Sequence, residues 1–288
     1  MSGRIKAIAL DLDGTLLGSR LQITRYTREI LERCLKDDIK LVIATGRGYP
    51  AAKKLAGELG PVFFVVSNGS LIVDEKDNII REKVLPKNTV ERVWSETQKF
   101  ADLYAYLVGG EALIMPPLRK ALSGPLFREL KKPHGWKKLW LNRGLSPKLR
   151  TGDPLKYCRE RSLSVHKITV LGREEKLELL ARKISGERIV LTWGPGREAL
   201  DINAPGVNKG EALEFLGERW NIPLQEWMAF GDGDNDLKML EMAGVGVVME
   251  NTDVPMLEEK ANLKAPGHDH DGVARTIEKV LFSQKKSY

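Results

Sequence analysis

The chain has 288 residues, enough for one large domain or for two, with a sizeable hydrophobic core. Hydrophobic residues make up 42% and charged residues 30% of the chain, which excludes the disordered and collagen-like classes and indicates an ordinary globular protein. No apolar run reaches the roughly 18 residues of a membrane-spanning helix, so we expect no membrane partner. The formal net charge is +7, and it is unevenly distributed along the chain.

The first residues, 1–6, contain no apolar stretch of the kind found in signal peptides, and they lead directly into a strand-like segment. Two cysteines, Cys34 and Cys158, are too few for a disulfide framework. We therefore predict a cytoplasmic protein. Cys34 shares the apolar face of a predicted helix with Ile30 and Leu31, so we expect its thiol in the core.

The most informative segment is Asp11-Leu12-Asp13-Gly14-Thr15, which follows the run Ile5–Leu10. This run is apolar except for Lys6. Such a run predicts a strand that is buried on both faces of a parallel sheet. In open α/β sheets the binding sites lie outside the carboxyl ends of the strands. If the backbone stays extended, Asp11 and Asp13 point the same way and face one ligand.

Two carboxylates so close together repel each other unless something compensates. A divalent cation is one solution, since Mg²⁺ prefers one or two carboxylates together with phosphate oxygens. A second solution is to keep one carboxyl group protonated. Phosphoryl transfer through an aspartyl-phosphate would use both, with one Asp attacking phosphorus and the other protonating the leaving group. A simple Asp-Gly turn is the alternative that this segment alone leaves open.

A second acidic cluster, residues 231–236 (GDGDND), follows another apolar strand-like run. An EF-hand loop that starts at Asp232 needs Gly at its sixth position and Glu at its twelfth, where this chain has Leu237 and Ala243. We therefore reject a calcium loop. Asp232, alone or with Asp236, suits a further carboxylate for a metal ion.

Two shorter motifs are suited to hold a phosphate. Thr45-Gly46-Arg47 follows the strand-like run Ile39–Ile43, and hydroxyl and N–H groups at a strand end bind phosphate oxygens. Lys209 opens an amphipathic segment, where its charge and the helix dipole both favour an anion. Taken singly, Thr45 is more simply explained as a strand-end cap and Lys209 as a solvated lysine.

Together the motifs DLDGTLL, ATGR, NKG and GDGDND resemble, in order and kind, those of phosphatases of the haloacid dehalogenase superfamily, in the Cof-like branch. The resemblance extends over nearly the whole chain and includes Gly246–Asn251 and Asp271–Ala274. The chain departs from the family pattern at Thr252, where Ala is usual, and at Glu250, where Gly is common. The implied fold is α/β, a Rossmann-like doubly wound parallel sheet core with an inserted α+β cap domain.

The resemblance also implies a role for each matching residue. Asp11 resembles the nucleophile that takes the phosphoryl group, and Asp13 the general acid for the leaving alcohol and then the base for water. A Mg²⁺ cofactor would be held by the Asp11 carboxylate, the Asp13 backbone carbonyl and Asp232, with Asp236 supporting it from further out or through water. The implied phosphate-binding groups are the Leu12 backbone N–H, Thr45, Gly46, Lys209 and Asn235.

The implied activity is that of a phosphoric monoester hydrolase. We expect a Mg²⁺-dependent phosphatase that hydrolyses a small phosphorylated metabolite, either a sugar phosphate or a nucleotide or cofactor monophosphate, through an aspartyl-phosphate. A phosphotransferase or phosphomutase of the same fold is an alternative, because it would pass the same intermediate to another alcohol. A basic anion-binding or nucleic-acid-binding protein is the second alternative. The sequence defines neither the substrate nor the oligomeric state.

The spacing of the motifs predicts two domains, because the second and third motifs lie much further apart than one βαβ crossover requires. We predict a catalytic core formed by residues 1–83 and 197–288, and an inserted α+β cap at 84–196. By the resemblance, the cap determines substrate specificity. The predicted cap elements are a helix at 86–100, strands at 104–108, 112–115 and 165–171, a helix at 174–184 and a strand at 189–193.

The segment 118–173 contains fifteen Lys and Arg and three acidic residues, so it carries a net charge of about +12. Trp136, Trp140 and Tyr157 lie among these charges, and basic stretches with aromatic residues bind single-stranded nucleic acids. We favour a solvated cap face that steers anionic metabolites, because loops break the segment and it contains no known nucleic-acid-binding motif.

A pair of histidines, His268 and His270, alternates with Asp269 and Asp271 near the end of the chain. A transition-metal site would use such residues. We interpret the segment instead as a polar loop before the last helix, although in the resembled family this loop can approach the active site.

Overall fold

In a computed structural model of the protein, the described residues are 4–109, 112–116 and 148–283. Their strands are β1 (Ala7–Leu10), β2 (Lys40–Ala44), β3 (Val62–Val66), β4 (Leu71–Val73), β5 (Ile79–Glu82), β6 (Tyr104–Gly109), β7 (Ala112–Met115), β8 (Lys148–Thr151), β9 (Lys167–Leu171), β10 (Val190–Trp193), β11 (Ala199–Asn203), β12 (Trp227–Gly231), β13 (Val245–Met249) and β14 (Leu263–Ala265). Their α-helices are α1 (Arg25–Lys36), α2 (Tyr49–Ala56), α3 (Lys87–Gln98), α4 (Pro154–Glu160), α5 (Glu174–Ile184), α6 (Lys209–Trp220), α7 (Leu237–Met242), α8 (Pro255–Lys260) and α9 (Gly272–Ile277).

The chain divides into two compact units. The first consists of Met1–Arg47, Ala52–Arg81 and Asn208–Tyr288, and the second of Gly48–Ala51 and Glu82–Val207. The second unit is therefore largely one continuous stretch of sequence that interrupts the first. No helix among the described residues is long and apolar enough to cross a membrane.

The first unit is built on an eight-stranded sheet with the order β14-β13-β12-β1-β2-β3-β4-β5. The strands from β14 to β3 pair in parallel, and β4 runs antiparallel to β3. β3 is buried along its whole length, as expected for a strand with helices on both faces. This doubly wound sheet confirms the predicted α/β fold class.

Helices pack against this sheet through apolar faces. Trp220, at the end of α6, stacks on Trp227 of β12 with ring centroids 5.5 Å apart, and it meets Phe63 of β3 edge-on at 4.7 Å. On α1, Leu31 and Cys34 are fully buried. The prediction that Cys34 lies in the core is therefore confirmed.

The second unit is built on a six-stranded sheet with the order β10-β11-β9-β6-β7-β8. Its strands pair antiparallel except for β7 and β8, which are parallel. One face carries an apolar cluster that includes Ile168 and Val170 of β9 together with Val93 of α3 and Leu180 of α5. Helices on one face of a mostly antiparallel sheet form an α+β layer, which is the architecture that the sequence predicted for this region.

The second unit continues further along the chain than the predicted boundary after residue 196. The reason is β11, which lies beyond that boundary and pairs with both β9 and β10, so the unit ends at Val207. β8 and α4 were not predicted from the sequence. β8 is only four residues long and follows a segment in which charged residues and loop residues alternate.

Candidate active site

The carboxyl ends of three neighbouring strands bring the predicted site residues together. β1, β2 and β12 end directly before Asp11, Thr45 and Asp232. β1 pairs in parallel with the other two strands, so all three strands end at the same edge of the sheet. In open α/β sheets, ligands bind at the edge that the carboxyl ends of the strands form.

Four residues form the centre of this edge, and we call them the buried cluster: Asp11, Lys209 and Asp236 are buried, and Asp232 is partly buried. The Lys209 ammonium group donates to Asp11 Oδ1 and to Asp236 Oδ1, at 2.6 Å in each case. The side chain of Lys209 is 0% exposed and that of Asp236 is 1% exposed. An ammonium group this deep in a protein requires charged partners, and the two carboxylates provide them.

Lys209 reaches the cluster because it is the first residue of α6. Asn208 caps this helix, and its side chain accepts the N–H of Glu211 at 2.9 Å. The sequence left open whether Lys209 is a solvated surface residue. Its complete burial excludes that alternative.

Burial shifts the pKa values of the cluster. It raises the pKa of Asp11 well above the ordinary value; Lys209 opposes this effect, and the neighbouring carboxylates add to it. Burial raises the pKa of Asp232 to about 7, and the Asp236 charge adds to the shift. For Lys209, burial alone would lower the pKa, but the Asp11 and Asp236 charges outweigh it and raise the pKa. The cluster thus holds more negative charge than one ammonium group balances.

The same imbalance makes the cluster suitable for a divalent cation. Carboxylate oxygens of Asp11, Asp232 and Asp236 lie within 4.8 Å of one another, and oxygen is the donor atom that Mg²⁺ prefers. Both oxygens of Asp236 already accept hydrogen bonds, from Lys209 and from the backbone N–H groups of Asp232 and Gly233. The Asp236 carboxylate is therefore held in place by Lys209 and by the loop backbone.

Gly14 allows the two acidic loops to approach each other. Its φ is 80°, a conformation that residues with a side chain rarely adopt, and a Cβ at this position would overlap the Asp232 carboxylate. On the other side, the Thr15 hydroxyl donates to Asp232 Oδ1 at 2.7 Å. Gly14 and Thr15 therefore hold the Asp232 carboxylate of the second acidic motif in place.

Asp13 lies apart from the buried cluster. The backbone does not stay extended after β1 but turns, with the Leu17 N–H donating to the Leu12 carbonyl at 2.9 Å. Arg47 binds Asp13 through two hydrogen bonds, from Nε to Oδ2 and from Nη2 to Oδ1, each 2.6 Å long. The expectation that Asp11 and Asp13 face one ligand assumed an extended chain, and the turn gives the two carboxylates different partners.

The predicted phosphate-binding residues Thr45, Gly46 and Asn235 meet around Asn68, a residue to which the sequence analysis assigned no role. The Asn235 side-chain amide donates to Asn68 Oδ1 at 3.1 Å, and the Asn68 N–H donates to the Thr45 carbonyl at 3.1 Å. A Cβ on Gly46 would lie 2.9 Å from Asn68 Oδ1. Asn68 adopts a left-handed conformation with φ 63°, which Asn tolerates better than most residues. An Asn two residues beyond the end of a buried strand was the available sequence signal.

Leu12, whose backbone N–H was predicted to bind phosphate, lies between Asp11 and Asp13 at the same edge, with its side chain fully buried. Thr252, where the chain departs from the family pattern, donates from its hydroxyl to the Asp232 backbone carbonyl at 2.7 Å. The same hydroxyl accepts the Val254 N–H at 3.1 Å. Thr252 therefore ties a neighbouring loop to the second acidic motif.

The histidine segment contacts the loop that follows the first acidic motif. Ser19 donates its N–H to Asp269 Oδ1 at 2.7 Å, and its hydroxyl lies 3.3 Å from His268 Nε2. The His268 N–H donates to Asn251 Oδ1 at 2.9 Å, and the Asn251 amide donates to the Gly14 carbonyl at 2.8 Å. The segment forms a single 3₁₀ turn before α9, as the polar-loop interpretation predicted.

Much of the basic segment, residues 117–147, lies outside the described residues, and Trp136 and Trp140 are part of it. In the described remainder, Lys156 lies 3.8 Å from Glu160 and Lys167 lies 2.6 Å from Asp201. Arg161 lies over the Tyr157 ring at 4.4 Å. Several of the described cations are therefore paired within the unit.

A parallel α/β sheet with acidic motifs at the ends of two neighbouring strands, and a buried lysine between them, defines a class of phosphoryl-transfer enzymes. Residues 8–277 match the family of haloacid dehalogenase-like hydrolases. The chain belongs to this family, which confirms the resemblance seen in the sequence, and it is a phosphatase of the Cof-like branch, a phosphoric monoester hydrolase.

Individual relatives are similar along almost the whole chain. The 5-amino-6-(5-phospho-D-ribitylamino)uracil phosphatase YcsE of Bacillus subtilis is 28% identical over 95% of this chain and 94% of its own length. The HMP-PP phosphatase of Klebsiella pneumoniae is 27% identical over 91% of this chain and 90% of its own length. A solved haloacid dehalogenase-like hydrolase from B. subtilis superposes with a TM-score of 0.82 at 25% identity, over 96% of this chain and 100% of that chain.

Proposed function

We propose that the protein is a Mg²⁺-dependent phosphatase that hydrolyses a small phosphorylated metabolite through a phosphoryl group carried on Asp11. The observation that carries this proposal is the buried Asp11 carboxylate at the end of β1, bound by Lys209 at 2.6 Å and grouped with two further carboxylates. The relatives named for a ribitylaminouracil phosphate and for HMP-PP support a small phosphorylated substrate.

In the first half-reaction, a carboxylate oxygen of Asp11 attacks phosphorus, and the bond from phosphorus to the ester oxygen breaks. A proton passes from Asp13 to that oxygen, so the leaving group departs as a neutral alcohol. The side chain of Asp13 is 46% exposed and that of Asp11 is 7% exposed. The exposed carboxylate suits the residue that must meet a leaving group, and the buried one suits the nucleophile.

In the second half-reaction, a water oxygen attacks phosphorus and the bond from phosphorus to Asp11 breaks. Asp13 takes a proton from this water, and inorganic phosphate leaves. In both steps charge develops on the phosphoryl oxygens, and fixed donors aimed at them lower the barrier. We assign these donors to Lys209, Thr45, Gly46, Asn235 and the Leu12 backbone N–H.

When bound, Mg²⁺ supplies positive charge next to the phosphoryl oxygens. Asp11, Asp232 and the Asp13 backbone carbonyl would hold it, with Asp236 supporting the site through Lys209 and the loop backbone. The carboxylate surplus of the buried cluster supports this assignment, since three carboxylates share one ammonium group.

We further propose that the second unit selects the leaving group. One face of β9 carries Lys167 and Thr169, which both bind the Asp201 carboxylate at 2.6 Å, while the other face is apolar and packs on helices. A sheet face with an ammonium group, a carboxylate and a hydroxyl group suits a polar leaving group such as a sugar. Asp201→Asn should then reorder the rates among natural esters and leave hydrolysis of p-nitrophenyl phosphate unchanged, and an unchanged order would contradict this role.

The proposal is tested by measuring free phosphate released from a panel of phosphorylated metabolites, with Mg²⁺ present and with a chelator. We expect release that the chelator abolishes, and the fastest ester identifies the substrate class. Consumption of an ester without equivalent free phosphate would instead indicate transfer to another alcohol. A folded, metal-supplied protein that releases phosphate from no ester would contradict the hydrolase assignment.

A further inference from the structure

Arg47 lies next to the site, and its side chain takes part in none of the proposed reaction steps. Its guanidinium group contacts Asp13 through a fork of two hydrogen bonds, each 2.6 Å long. A fork of this kind fixes the plane of a carboxylate as well as its distance, which the single point charge of a lysine does not do.

Arg47 is itself held firmly. Its backbone N–H donates to the Thr45 hydroxyl at 3.2 Å, and its carbonyl accepts the Ser67 N–H at 2.8 Å. Its side chain is 13% exposed, compared with 46% for Asp13. The arginine is therefore the fixed member of the pair, and the half-exposed carboxylate would sample several rotamers without it.

We infer that Arg47 is a positioning residue, which orients the Asp13 carboxyl group for proton transfer to and from the reacting oxygens. The inference rests on the proposed function, since it assigns Arg47 to the proton-transfer step. A carboxyl group offers about four lone-pair sites. Two of them accept from Arg47, and one of the others holds the proton that Asp13 gives to the leaving oxygen and later takes back from water.

The chemistry of the leaving group distinguishes this role from a purely structural one. An alkyl ester leaves as a strongly basic alkoxide and needs a proton, whereas p-nitrophenolate leaves readily without one. Arg47→Met keeps the length of the side chain and removes the fork. We expect it to lower kcat/KM for the best alkyl phosphate by about 10- to 100-fold, and that for p-nitrophenyl phosphate by less than about threefold.

A double-mutant cycle tests whether Arg47 acts through Asp13. If it does, Arg47→Met should have almost no further effect on alkyl-ester turnover in an Asp13→Asn background. Arg47→Lys should retain part of the rate. The matched control is Arg25→Met, which removes an exposed arginine that binds Glu29 at 2.7 Å on α1. It should leave kcat/KM unchanged for both substrates.

Three results would overturn the inference. An equal loss with both esters would mean that Arg47 binds the phosphoryl group itself or maintains the fold. A gain with alkyl esters would mean that it restrains Asp13 in an inactive position. Additive losses in the cycle would mean that it acts independently of Asp13.

A crystal structure of Arg47→Met provides a readout that does not depend on turnover. We expect the Asp13 carboxylate to leave its present position or to occupy several rotamers, and an unchanged Asp13 would overturn the inference. Failure of the proposed function looks different, because the native protein would then hydrolyse neither ester. The structural result would still decide whether Arg47 positions Asp13.

Discussion

The two carboxylates of the first acidic motif lie two residues apart in very different surroundings. Asp11 belongs to the buried cluster, where three carboxylates share the Lys209 ammonium group. Asp13 lies half-exposed and forms a balanced pair with Arg47. Pairs of titratable groups in different environments are the means by which one site assigns different tasks to similar side chains. The carboxylates around Asp11 outnumber the single ammonium group, whereas Arg47 balances the Asp13 carboxylate. We therefore expect the Asp11 carboxylate, and not that of Asp13, to depend on a cation.

The largest expected effect is that of Asp11→Asn, which removes the attacking oxygen and retains the shape of the side chain. Turnover should fall by about 10⁴-fold or more, because loss of a covalent nucleophile removes the whole pathway. Phosphate release from the best ester measures the effect. The matched control is Asp38→Asn, at an exposed position with φ 60° that Asn also adopts. Residual turnover within tenfold of native would contradict the role of Asp11.

Lys209→Met should have the next largest effect, and it should affect stability as well as rate. Removing one partner from a buried ion pair costs about 3–5 kcal/mol, and losing one phosphate donor costs about 10²- to 10³-fold in kcat. Urea denaturation and steady-state rates measure the two losses. Lys238→Met, at an exposed residue that binds Glu241 at 2.9 Å, is the control. A stable Lys209→Met protein would mean that the carboxylates do not need the ammonium group.

The third effect is the dependence of stability on pH and on Mg²⁺. The pKa of Asp232 is about 7 instead of 3.8, and that of Asp11 is also raised, so the folded protein keeps protons that the unfolded chain loses near pH 4. The free energy of unfolding of the metal-free protein should therefore fall as pH rises from about 4 to about 7. Mg²⁺ should raise Tm more at a pH of about 8 than of about 5, because it binds ionised carboxylates.

Asp232→Asn sharpens this test because it removes one of the two groups. The slope of stability against pH should be smaller in the variant, and its gain in Tm with Mg²⁺ should be reduced. A native slope together with a native response to Mg²⁺ would show that Asp232 neither titrates with folding nor binds the ion.

The smallest expected effect is that of Thr252→Val, which removes the hydrogen bond to the Asp232 carbonyl at 2.7 Å. Groups that orient a metal ligand typically change metal affinity by about 10-fold or more when they are lost. Calorimetric titration with Mg²⁺ measures this affinity directly. Thr252→Ser retains the hydroxyl group and should bind like the native protein. Equal affinity in the Val variant would contradict the positioning role.

Much of the fold and part of the site could be predicted from the sequence, because strand ends are local features. The strand Ala112–Met115 and the helix Glu174–Ile184 were predicted with the bounds that the structure has. The short strands β8 and β11 were missed, because four or five residues give little periodicity and their partners lie far away in sequence. The position of Lys209 at a helix N-terminus was predicted. Its partners, Asp11 and Asp236, could not be predicted, because they depend on how that helix packs on the sheet.

The division between Asp11 and Asp13 could not be predicted for a similar reason. In an extended chain, side chains two residues apart point the same way. The turn after Leu10 is what gives the Asp11 and Asp13 side chains different directions. The fork of Arg47 depends on the path of a loop that is fixed by Thr45 and Ser67. Contacts of this kind are set by tertiary packing and carry no local sequence pattern.

If Asp11 is the nucleophile, the phosphoryl group is carried on its carboxylate during turnover. Rapid quenching of the protein during turnover of its best ester, followed by peptide mass spectrometry, tests it directly. We predict a phosphoryl adduct on the peptide that contains Asp11, formed before free phosphate appears and absent from Asp11→Asn. Phosphate release without such an adduct, or an adduct on another residue, would contradict the account.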